Sequence, residues 1–314
     1  MKFPHLAGLL LFTLLSLSAR AETAIVLNSV DENISFIDTQ TYKETGRAPA
    51  CKEPHHLMAT PDDSSVIVAC AISNELVFFD AKTGKEQKRI KNISDPYQLG
   101  FSPDNKWFVA NSLRLDRVDI YKAADFTLVA RVPAASTPSH MAFDKASQFV
   151  FITLQDSNEV LAIDLKTQQP LWKVPVGPTP AGIHMTPDDK YLLVGIMGAN
   201  YVEVIDWRAR KTIKKIITDK AAHNFLPRGD GRHVFVSNRT VQGSISLVDM
   251  KTLTEVEKYD VPGGPDDMEI RADGKELWAT ARFARKVQVV DLDQKKLARS
   301  IPVGRSPHGV SFIN

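Results

Sequence analysis

The sequence repeats with a period of 42 residues, and this period constrains the fold more than any other feature. A proline precedes a short apolar segment in each unit, and Pro54, Pro96, Pro138 and Pro180 are each 42 residues apart. The series continues with Ala222 in place of a proline, and then with Pro265 and Pro307. An aspartate recurs in phase with it, at Asp38, Asp80, Asp164, Asp206, Asp249 and Asp291. Two markers at one spacing indicate a chain built from copies of a single supersecondary unit.

Each unit has the pattern of four short strands. In the unit that follows Pro180 these segments are roughly residues 182–186, 191–195, 201–206 and 211–217, rich in β-branched and aromatic residues. Turn residues separate the segments, and no helical periodicity of useful length follows residue 21. A four-stranded unit of this length, repeated in series, predicts the blades of a β-propeller.

The number of blades follows from the two ends of the chain. Six complete units run from Pro54 to Gly304. Residues 23–48 supply the second, third and fourth strands of another unit, and residues 307–313 supply only a first strand. The two fragments add up to one blade. The sequence therefore predicts an all-β, seven-bladed propeller, closed by N- and C-terminal strands that share a blade, with residues 22–314 as a single domain.

The first 21 residues have the pattern of a signal peptide. Lys2 provides a positive start, and residues 6–17 are apolar but too few to span a membrane. Ala19, Arg20 and Ala21 fit a cleavage site, so we expect the mature chain to begin at Glu22. We expect a monomer exported to a bacterial periplasm, with no membrane span after the signal is removed.

The charge balance argues against nucleic acid as a partner. The chain has 39 Lys and Arg against 37 Asp and Glu, and both excess cations, Lys2 and Arg20, lie in the signal segment. The remaining chain is neutral and shows no basic run, whereas a nucleic-acid binder needs a positive field to neutralise phosphates. The same argument excludes attraction to a membrane surface through a polybasic segment.

The repeat resembles that of a known family. Residues 232–238 (RHVFVSN) and 244–249 (SISLVD) look like the YVTN β-propeller repeat, and residues 301–310 (IPVGRSPHGV) are similar to that family's turn into a new blade. The resemblance covers residues 23–313 and implies the propeller fold. It implies no single chemistry, because related propellers occur in d1-haem nitrite reductases, quinoprotein dehydrogenases, lactonases and nitrous oxide reductase.

Alternation along the first strand of each unit predicts which side chains face the central channel. The third residue after the proline position is apolar in all seven units and is expected to pack between blades, so the second and fourth face the channel. The ionisable residues at these positions are His56, His140, His184, Asp267 and Glu269. Imidazole and carboxylate groups suit a transition metal or the axial ligation of a haem-type cofactor. A water-filled channel also needs polar walls, and the sequence leaves both interpretations open.

A second candidate group lies at the mouth of the channel. The residue directly after the proline position is expected there; it is His55, Tyr97, Ser139, Ala181, His223, Asp266 and His308 in successive units. The loops after the second strands open on the same face and carry Arg114, Arg239 and Arg282. Because guanidinium groups bind carboxylates and similar anions, the three histidines His55, His223 and His308 and these three arginines form a candidate ligand site.

Two classes of function remain open at this point. The first is a non-enzymatic propeller that binds a small ligand, a metal, a cofactor or a periplasmic protein partner at the histidine-rich face. The alternative is an enzyme or cofactor-assembly factor, in which channel histidines ligate a metal or a d1-type haem and the arginines hold carboxylates of the substrate or haem. The sequence contains no Gly-x-Ser-x-Gly elbow, Gly-rich phosphate loop or C-x-x-C-H haem-attachment motif.

The two cysteines also carry a structural prediction. Cys51 lies three residues before Pro54, and Cys70 ends the second strand of the same unit. Antiparallel pairing of the first two strands brings these ends together, and an exported protein can keep a disulfide. Free thiols and a soft-metal site are the alternatives.

Overall fold

The computed structural model describes residues 22–313, which form 28 strands arranged in seven four-stranded antiparallel sheets. These sheets are the blades of a propeller, so the predicted seven-bladed fold is confirmed. Residues 22–313 contain no helix, and therefore none that is long and apolar enough to cross a membrane. The signal segment expected at residues 1–21 lies outside the described residues.

The blades are numbered in chain order, and each is given from its first, innermost strand to its fourth, outermost strand. Blade 1 contains β28 (Pro307–Ile313), β1 (Thr23–Asn28), β2 (Asn33–Asp38) and β3 (Lys43–Pro49). Blade 2 contains β4 (Pro54–Ala59), β5 (Ser65–Cys70), β6 (Glu75–Asp80) and β7 (Glu86–Lys91). Blade 3 contains β8 (Pro96–Phe101), β9 (Trp107–Ser112), β10 (Arg117–Lys122) and β11 (Leu128–Pro133).

The other four blades follow the same order. Blade 4 contains β12 (Pro138–Phe143), β13 (Phe149–Leu154), β14 (Glu159–Asp164) and β15 (Gln169–Pro175). Blade 5 contains β16 (Pro180–Met185), β17 (Tyr191–Ile196), β18 (Tyr201–Asp206) and β19 (Lys211–Ile217). Blade 6 contains β20 (Ala222–Pro227), β21 (His233–Asn238), β22 (Ser244–Asp249) and β23 (Thr254–Asp260). Blade 7 contains β24 (Pro265–Ile270), β25 (Glu276–Ala281), β26 (Lys286–Asp291) and β27 (Lys296–Pro302).

Blade 1 closes the ring. The last strand, β28, pairs antiparallel with the first strand in sequence, β1, with Thr23 opposite Ile313 and Val26 opposite Val310. The two fragments expected from the repeat count therefore form one sheet. Closure in this way leaves neither terminal strand as a free edge next to the channel.

The apolar core lies between the blades. Seven clusters of buried side chains are present in residues 22–313, and each one joins two consecutive blades. Both faces of the middle strands are therefore covered, and in β5 all six residues are buried. This burial explains why the middle strands read as continuous apolar runs. The third residues after the proline position, such as Leu99 and Val310, belong to these clusters, as predicted.

The repeated aspartates have a local structural role on the face away from the candidate mouth. The carboxylate of Asp38 accepts hydrogen bonds from the backbone N–H groups of Gln40 and Thr41 at 3.0 and 2.7 Å. Asp80 and Asp164 accept the equivalent bonds in blades 2 and 4. These aspartates stabilise the turn between the third and fourth strands, as expected for Asx turns.

The first strand of every blade contains a β-bulge directly after the proline position. In blade 2, Pro54 pairs with Cys70 and Leu57 pairs with Val68, so two residues on the first strand, His55 and His56, face one on the second, Ala69. The other six blades show the same shift of register. A bulge redirects side chains relative to simple alternation, and this one lies where the strand meets the mouth of the channel.

The two cysteines form a disulfide that joins the loop before β4 to the end of β5. Their Cα atoms are 5.9 Å apart, and Cys70 is fully buried in the core between blades 1 and 2. The residues between them, 52–69, include the whole first strand of blade 2. The bond therefore fixes the loop that leads into this strand.

We expect the double variant Cys51→Ala, Cys70→Ala to lose about 3 kcal/mol of unfolding free energy, because a bond across a loop of this length restricts the unfolded chain. Urea denaturation of oxidised wild type and variant measures the difference. Adding a thiol reductant should lower the wild-type midpoint and leave the variant unchanged. Equal midpoints for the oxidised wild type and the variant would show that the bond contributes nothing to stability.

Candidate functional site

The residues directly after the proline position converge at the mouth of the channel. A side chain on the second strand of one blade holds the backbone of this residue in the next blade. Thr280 donates a hydrogen bond to the carbonyl oxygen of His308 at 2.8 Å, and Ser237 donates to that of Asp266 at 3.0 Å. Asn111 and Thr153 do the same for blades 4 and 5. Together with the bulge, these bonds fix a ring of side chains that contact one another across blade boundaries.

Asp266 is the centre of this ring. Its side chain is fully buried, and one carboxylate oxygen, Oδ2, accepts hydrogen bonds from the Nη1 atoms of both Arg239 and Arg282 at 3.2 Å. The other oxygen, Oδ1, lies 3.1 Å from Nδ1 of His223, and Oδ2 lies 3.8 Å from Nε2 of His308. Four of the six residues of the candidate ligand site thus surround Asp266, which the repeat places at the same mouth position as the histidines.

The imidazoles around Asp266 are neutral. Burial lowers the pKa of His55, His223 and His308 well below the usual range of histidine. Burial also opposes ionisation of Asp266, but the facing positive groups outweigh it and hold the pKa of that carboxyl well below its usual range. Because the imidazoles carry no charge at neutral pH, we attribute this stabilisation to the two guanidinium groups.

Several nitrogen atoms of the cluster lack hydrogen-bond partners. Within residues 22–313, neither ring nitrogen of His223 or His308 forms a hydrogen bond, although all four atoms are buried. The short distance between His223 Nδ1 and Asp266 Oδ1 is therefore a contact without hydrogen-bond alignment. Buried polar atoms without partners are rare in folded proteins, and each costs about 1–3 kcal/mol.

Aromatic contacts extend the cluster into blade 3. The ring of His55 lies 3.7 Å from that of His308 and 3.9 Å from that of Tyr97, measured between centroids. Nδ1 of His55 donates a hydrogen bond to the carbonyl oxygen of Tyr97 at 2.9 Å, which fixes its tautomer. His140 approaches His223 edge to face, with centroids 5.2 Å apart. The mouth is thus packed with rings.

The cluster of Arg239, Arg282, Asp266 and the surrounding imidazoles has one net positive charge. The two guanidinium groups are always ionised, Asp266 contributes one negative charge, and the imidazoles are neutral. The guanidinium groups are also the part that solvent reaches, since the side chains of Arg239 and Arg282 are 19% and 27% exposed while that of Asp266 is 0% exposed. An anion approaching from solvent therefore meets uncompensated positive charge.

The two carboxyl groups of the channel, those of Asp267 and Glu269, lie on β24, and the pKa of each is raised to near neutral pH. Burial raises the pKa of Asp267 to about 8, with further contributions from Asp266 and Glu269. Burial likewise raises the pKa of Glu269 to about 7. Oδ1 of Asp267 accepts a hydrogen bond from the side-chain amide of Asn224 at 3.1 Å. No cation faces these groups closely enough to pair with them in residues 22–313, and burial therefore determines their protonation.

The channel histidines lie apart from one another in different settings. Nδ1 of His140 forms a hydrogen bond with the hydroxyl group of Ser139 at 2.7 Å, and Gln155 donates to the same hydroxyl oxygen. His184 stacks on Phe225, and burial lowers the pKa of His56 and His184 to about 4 and that of His140 to about 3. Between residues 22 and 313, no three His, Cys, Asp or Glu side chains are arranged to hold a metal ion.

Arg114 belongs to the same face but not to the cluster. Its guanidinium group pairs with Glu53 at 2.9 Å and with Asp95 at 2.8 Å. Arg239 and Arg282 directly follow β21 and β25, whereas Arg114 lies two residues beyond the end of β9. That difference of one position places it in a separate ion-pair network.

The cluster also contains Asp266, Tyr97 and Ser139, which the repeat places at the mouth but which were not among the candidate ligand-binding residues. Two arginines in equivalent loops of neighbouring blades, with no carboxylate assigned to them, were the signal that could have identified Asp266 as their counter-ion.

The relatives of this chain agree with the architecture described above. The model of the YNCE-like β-propeller family matches residues 8–314. The chain belongs to this family. No curated protein matches its sequence significantly.

Solved structures share the fold with this YNCE-like propeller at low sequence identity. A functionally unknown protein from Desulfotomaculum acetoxidans DSM 771 has a TM-score of 0.80 and 15% identity, covering 93% of this chain and 99% of the other. The dihydro-haem d1 dehydrogenase NirN, solved in complex with DHE, has a TM-score of 0.67 and 15% identity, covering 92% and 74%. A putative 6-phosphogluconolactonase from Bacteroides uniformis ATCC 8492 has a TM-score of 0.73 and 16% identity, covering 94% and 100%. At this identity the likeness concerns the fold alone.

Proposed function

We propose that this YNCE-like propeller is a non-enzymatic binding protein that captures a small anionic ligand at the channel mouth. The arrangement of Arg239 and Arg282 on the single carboxylate of Asp266 carries this proposal. The two guanidinium groups share Asp266 as their only counter-ion in the cluster. One positive charge is therefore not neutralised and can pair with an anion that enters from solvent. A carboxylate fits this role best, because the planar guanidinium group binds it through two parallel hydrogen bonds.

The neutral imidazoles support the same ligand. A neutral imidazole has one N–H donor and one acceptor nitrogen. The unpartnered nitrogens of His223 and His308 can therefore donate to an anion or accept from a hydroxyl group once the rings turn toward it. Such a bond would recover part of the cost of burying these atoms unpaired. Asp266 holds both guanidinium groups in place before the ligand arrives, which reduces the entropy lost on binding.

A metal or a haem-type cofactor fits these residues less well. The mouth is net positive, which disfavours a cation, and Asp266 is already bonded to two arginines. The ring of His55 is packed between those of Tyr97 and His308. The likeness to NirN and to lactonase-like propellers rests on the fold, so we assign no enzymatic step to the channel.

The proposed location is the bacterial periplasm. The argument rests on the sequence of residues 1–21 and on the disulfide between Cys51 and Cys70, since disulfides persist in oxidising compartments. We propose that the ligand is met there by a monomeric propeller.

We expect the double variant Arg239→Gln, Arg282→Gln to bind small carboxylates at least about tenfold more weakly than the wild type, because it removes the positive charge at the mouth. Calorimetric titration with acetate, succinate and citrate at low ionic strength measures the affinities. Arg114→Gln is the matched control on the same face and should bind like the wild type.

The double variant leaves Asp266 buried without a counter-ion and can lose stability for that reason. The triple variant with Asp266→Asn removes this charge as well and should show the same loss of binding with a wild-type circular dichroism spectrum. Absence of binding by all three carboxylates to the wild type at millimolar concentrations, or equal binding by wild type and triple variant, would refute the proposal.

A further inference from the structure

A second concave surface lies between blades 4 and 5, on the face opposite the channel mouth. It is a cavity of about 320 Å³ that is open to solvent, and its walls contain no residue of the mouth. The residues that line it are Phe149, Leu171, Trp172, Trp207, Arg208 and Arg210. We call it the blade 4/5 groove. Two tryptophans, a phenylalanine and two arginines in one groove match the composition of binding hot spots.

The base of the groove is rigid. The ring of Trp207 packs against Phe149 and Phe151, with centroids 5.6 and 5.1 Å apart, and only 8% of Trp207 is exposed. Trp172 packs against Phe151 from the side of blade 4, at 5.8 Å. Core packing thus fixes the aromatic base, and a ligand that occupies it loses little entropy to ordering of the protein. Leu171 completes the apolar wall and is 49% exposed.

The rim of the groove is positively charged. Residues 207–215 (WRARKTIKK) contain five cations and no acidic residue. Of these, Arg208 and Arg210 line the groove, whereas the ammonium group of Lys214 donates to the carbonyl oxygen of Thr252 in blade 6 and that of Lys215 to the hydroxyl group of Tyr201. Arg208 lies over the ring of Trp207 at 4.0 Å and pairs with Asp189 at 2.8 Å. Arg210 lies 5.7 Å from the centroid of the Trp172 ring, and no carboxylate of residues 22–313 pairs with it. The expectation that the mature chain has no basic run was therefore wrong for this segment.

Protection of the sheet edge explains only part of this pattern. β19 is the outermost strand of blade 5, and lysines on an edge strand prevent pairing with other strands. Lys211, Lys214 and Lys215 are accounted for in this way. Edge protection does not account for Arg210, which lies in the turn before the strand, or for the exposed apolar side chain of Leu171.

We propose that the blade 4/5 groove binds a short acidic peptide segment of a partner protein, in which an aromatic or leucine side chain is flanked by carboxylates. The volume suits one large side chain, which would pack on Trp172, Trp207 and Leu171. The flanking carboxylates would pair with Arg210 and Arg208 at the rim of the groove. The proposal depends on charge complementarity with these two arginines and is independent of ligand binding at the channel mouth.

A labelled peptide with one phenylalanine between pairs of aspartates tests this proposal by fluorescence anisotropy on the full-length mature protein. We expect saturable binding, about tenfold weaker when alanine replaces the phenylalanine, and no binding when lysines replace the aspartates. The variants Arg210→Glu and Leu171→Asp change exposed side chains and should each weaken binding about tenfold. Lys251→Glu, in the equivalent groove between blades 5 and 6, is the matched control and should bind normally.

Three results would overturn the proposal. The first is absence of saturable binding by the acidic peptide. The second is equal affinity for wild type and Arg210→Glu. The third is binding of a single-stranded oligonucleotide in preference to the peptide, lost in Arg210→Glu, which would assign the groove to nucleic acid instead.

Discussion

Deletion of residues 307–314 is expected to unfold the propeller. β28 is the first strand of blade 1 and pairs with β1 along its length. Without it, the backbone N–H and C=O groups along the edge of β1 lose their partners, and blades 7 and 2 lose the strand that lies between them. Val310 and Ile313 are almost fully buried, and their loss alone removes about 3–6 kcal/mol of hydrophobic stabilisation. Together with the broken strand pairing, this approaches the total stability of an ordinary domain.

The measurement is thermal and urea denaturation of the truncated and full-length mature proteins, followed by near-ultraviolet circular dichroism. We expect no cooperative transition for the truncated chain. A synthetic peptide with the sequence of residues 307–314 should restore part of the near-ultraviolet signal, because it can add to the free edge of β1. A matched control that lacks only Asn314 should melt like the full-length protein. An unchanged midpoint for the truncated chain would show that blade 1 does not need its C-terminal strand.

The architecture could be predicted because it depends on properties that repeat. Three features recur along the chain: the spacing of Pro54 and its equivalents, the apolar third position and the Asx turns. A pattern that is weak in one unit is therefore supported by the same pattern in the others. The ring closure followed from the two incomplete units at the ends. The pairing of β28 with β1 confirms it.

The candidate site was only partly predictable because it depends on departures from the repeat. Simple alternation assigned the channel to His56 and Asp267, but the bulge after each proline also turns the preceding residues, such as His55 and Asp266, toward their neighbours in adjacent blades. A bulge has no signature in these sequences, since the residues at the bulge differ from blade to blade. The phase of the repeat therefore placed Asp266 at the mouth, but strand periodicity did not show that it pairs with Arg239 and Arg282.

The charge of the whole chain also concealed a local feature. The equal numbers of cations and anions after residue 21 conceal the five cations of residues 207–215. Ion pairs such as that of Arg114 with Asp95 neutralise other charges of the chain in place. A charge balance calculated over residues that are close in the fold, instead of over the whole sequence, would have distinguished the cations of residues 207–215 from charges that are neutralised in ion pairs.

Asp267→Asn should change the pH dependence of stability more than any other single substitution in the channel. The pKa of Asp267 is about 8 in the folded protein and about 3.8 when unfolded, so the folded state binds the proton more tightly. The stability that this proton contributes is fully present below the unfolded pKa and is lost as the pH rises through 8. Asn224 can donate to an asparagine oxygen at this position as it does to the carboxyl group, so the variant keeps that bond.

We expect ionisation of this group to lower the stability of the wild type by at most about 4 kcal/mol between pH 5 and pH 8. The variant should lack this loss and melt at a higher temperature than the wild type at pH 8. Glu269→Gln should remove a smaller loss, centred nearer pH 7, since the pKa of Glu269 is about 7. Both variants should keep the loss of stability below about pH 6.5 that comes from the buried neutral histidines, because the lowered pKa of His56 and His184 makes protonation favour the unfolded chain. If the stability of the wild type and that of Asp267→Asn changed in the same way between pH 5 and pH 8, the prediction would be wrong. Asp267 would then be ionised in the folded channel, stabilised there by a positive group or by ordered water.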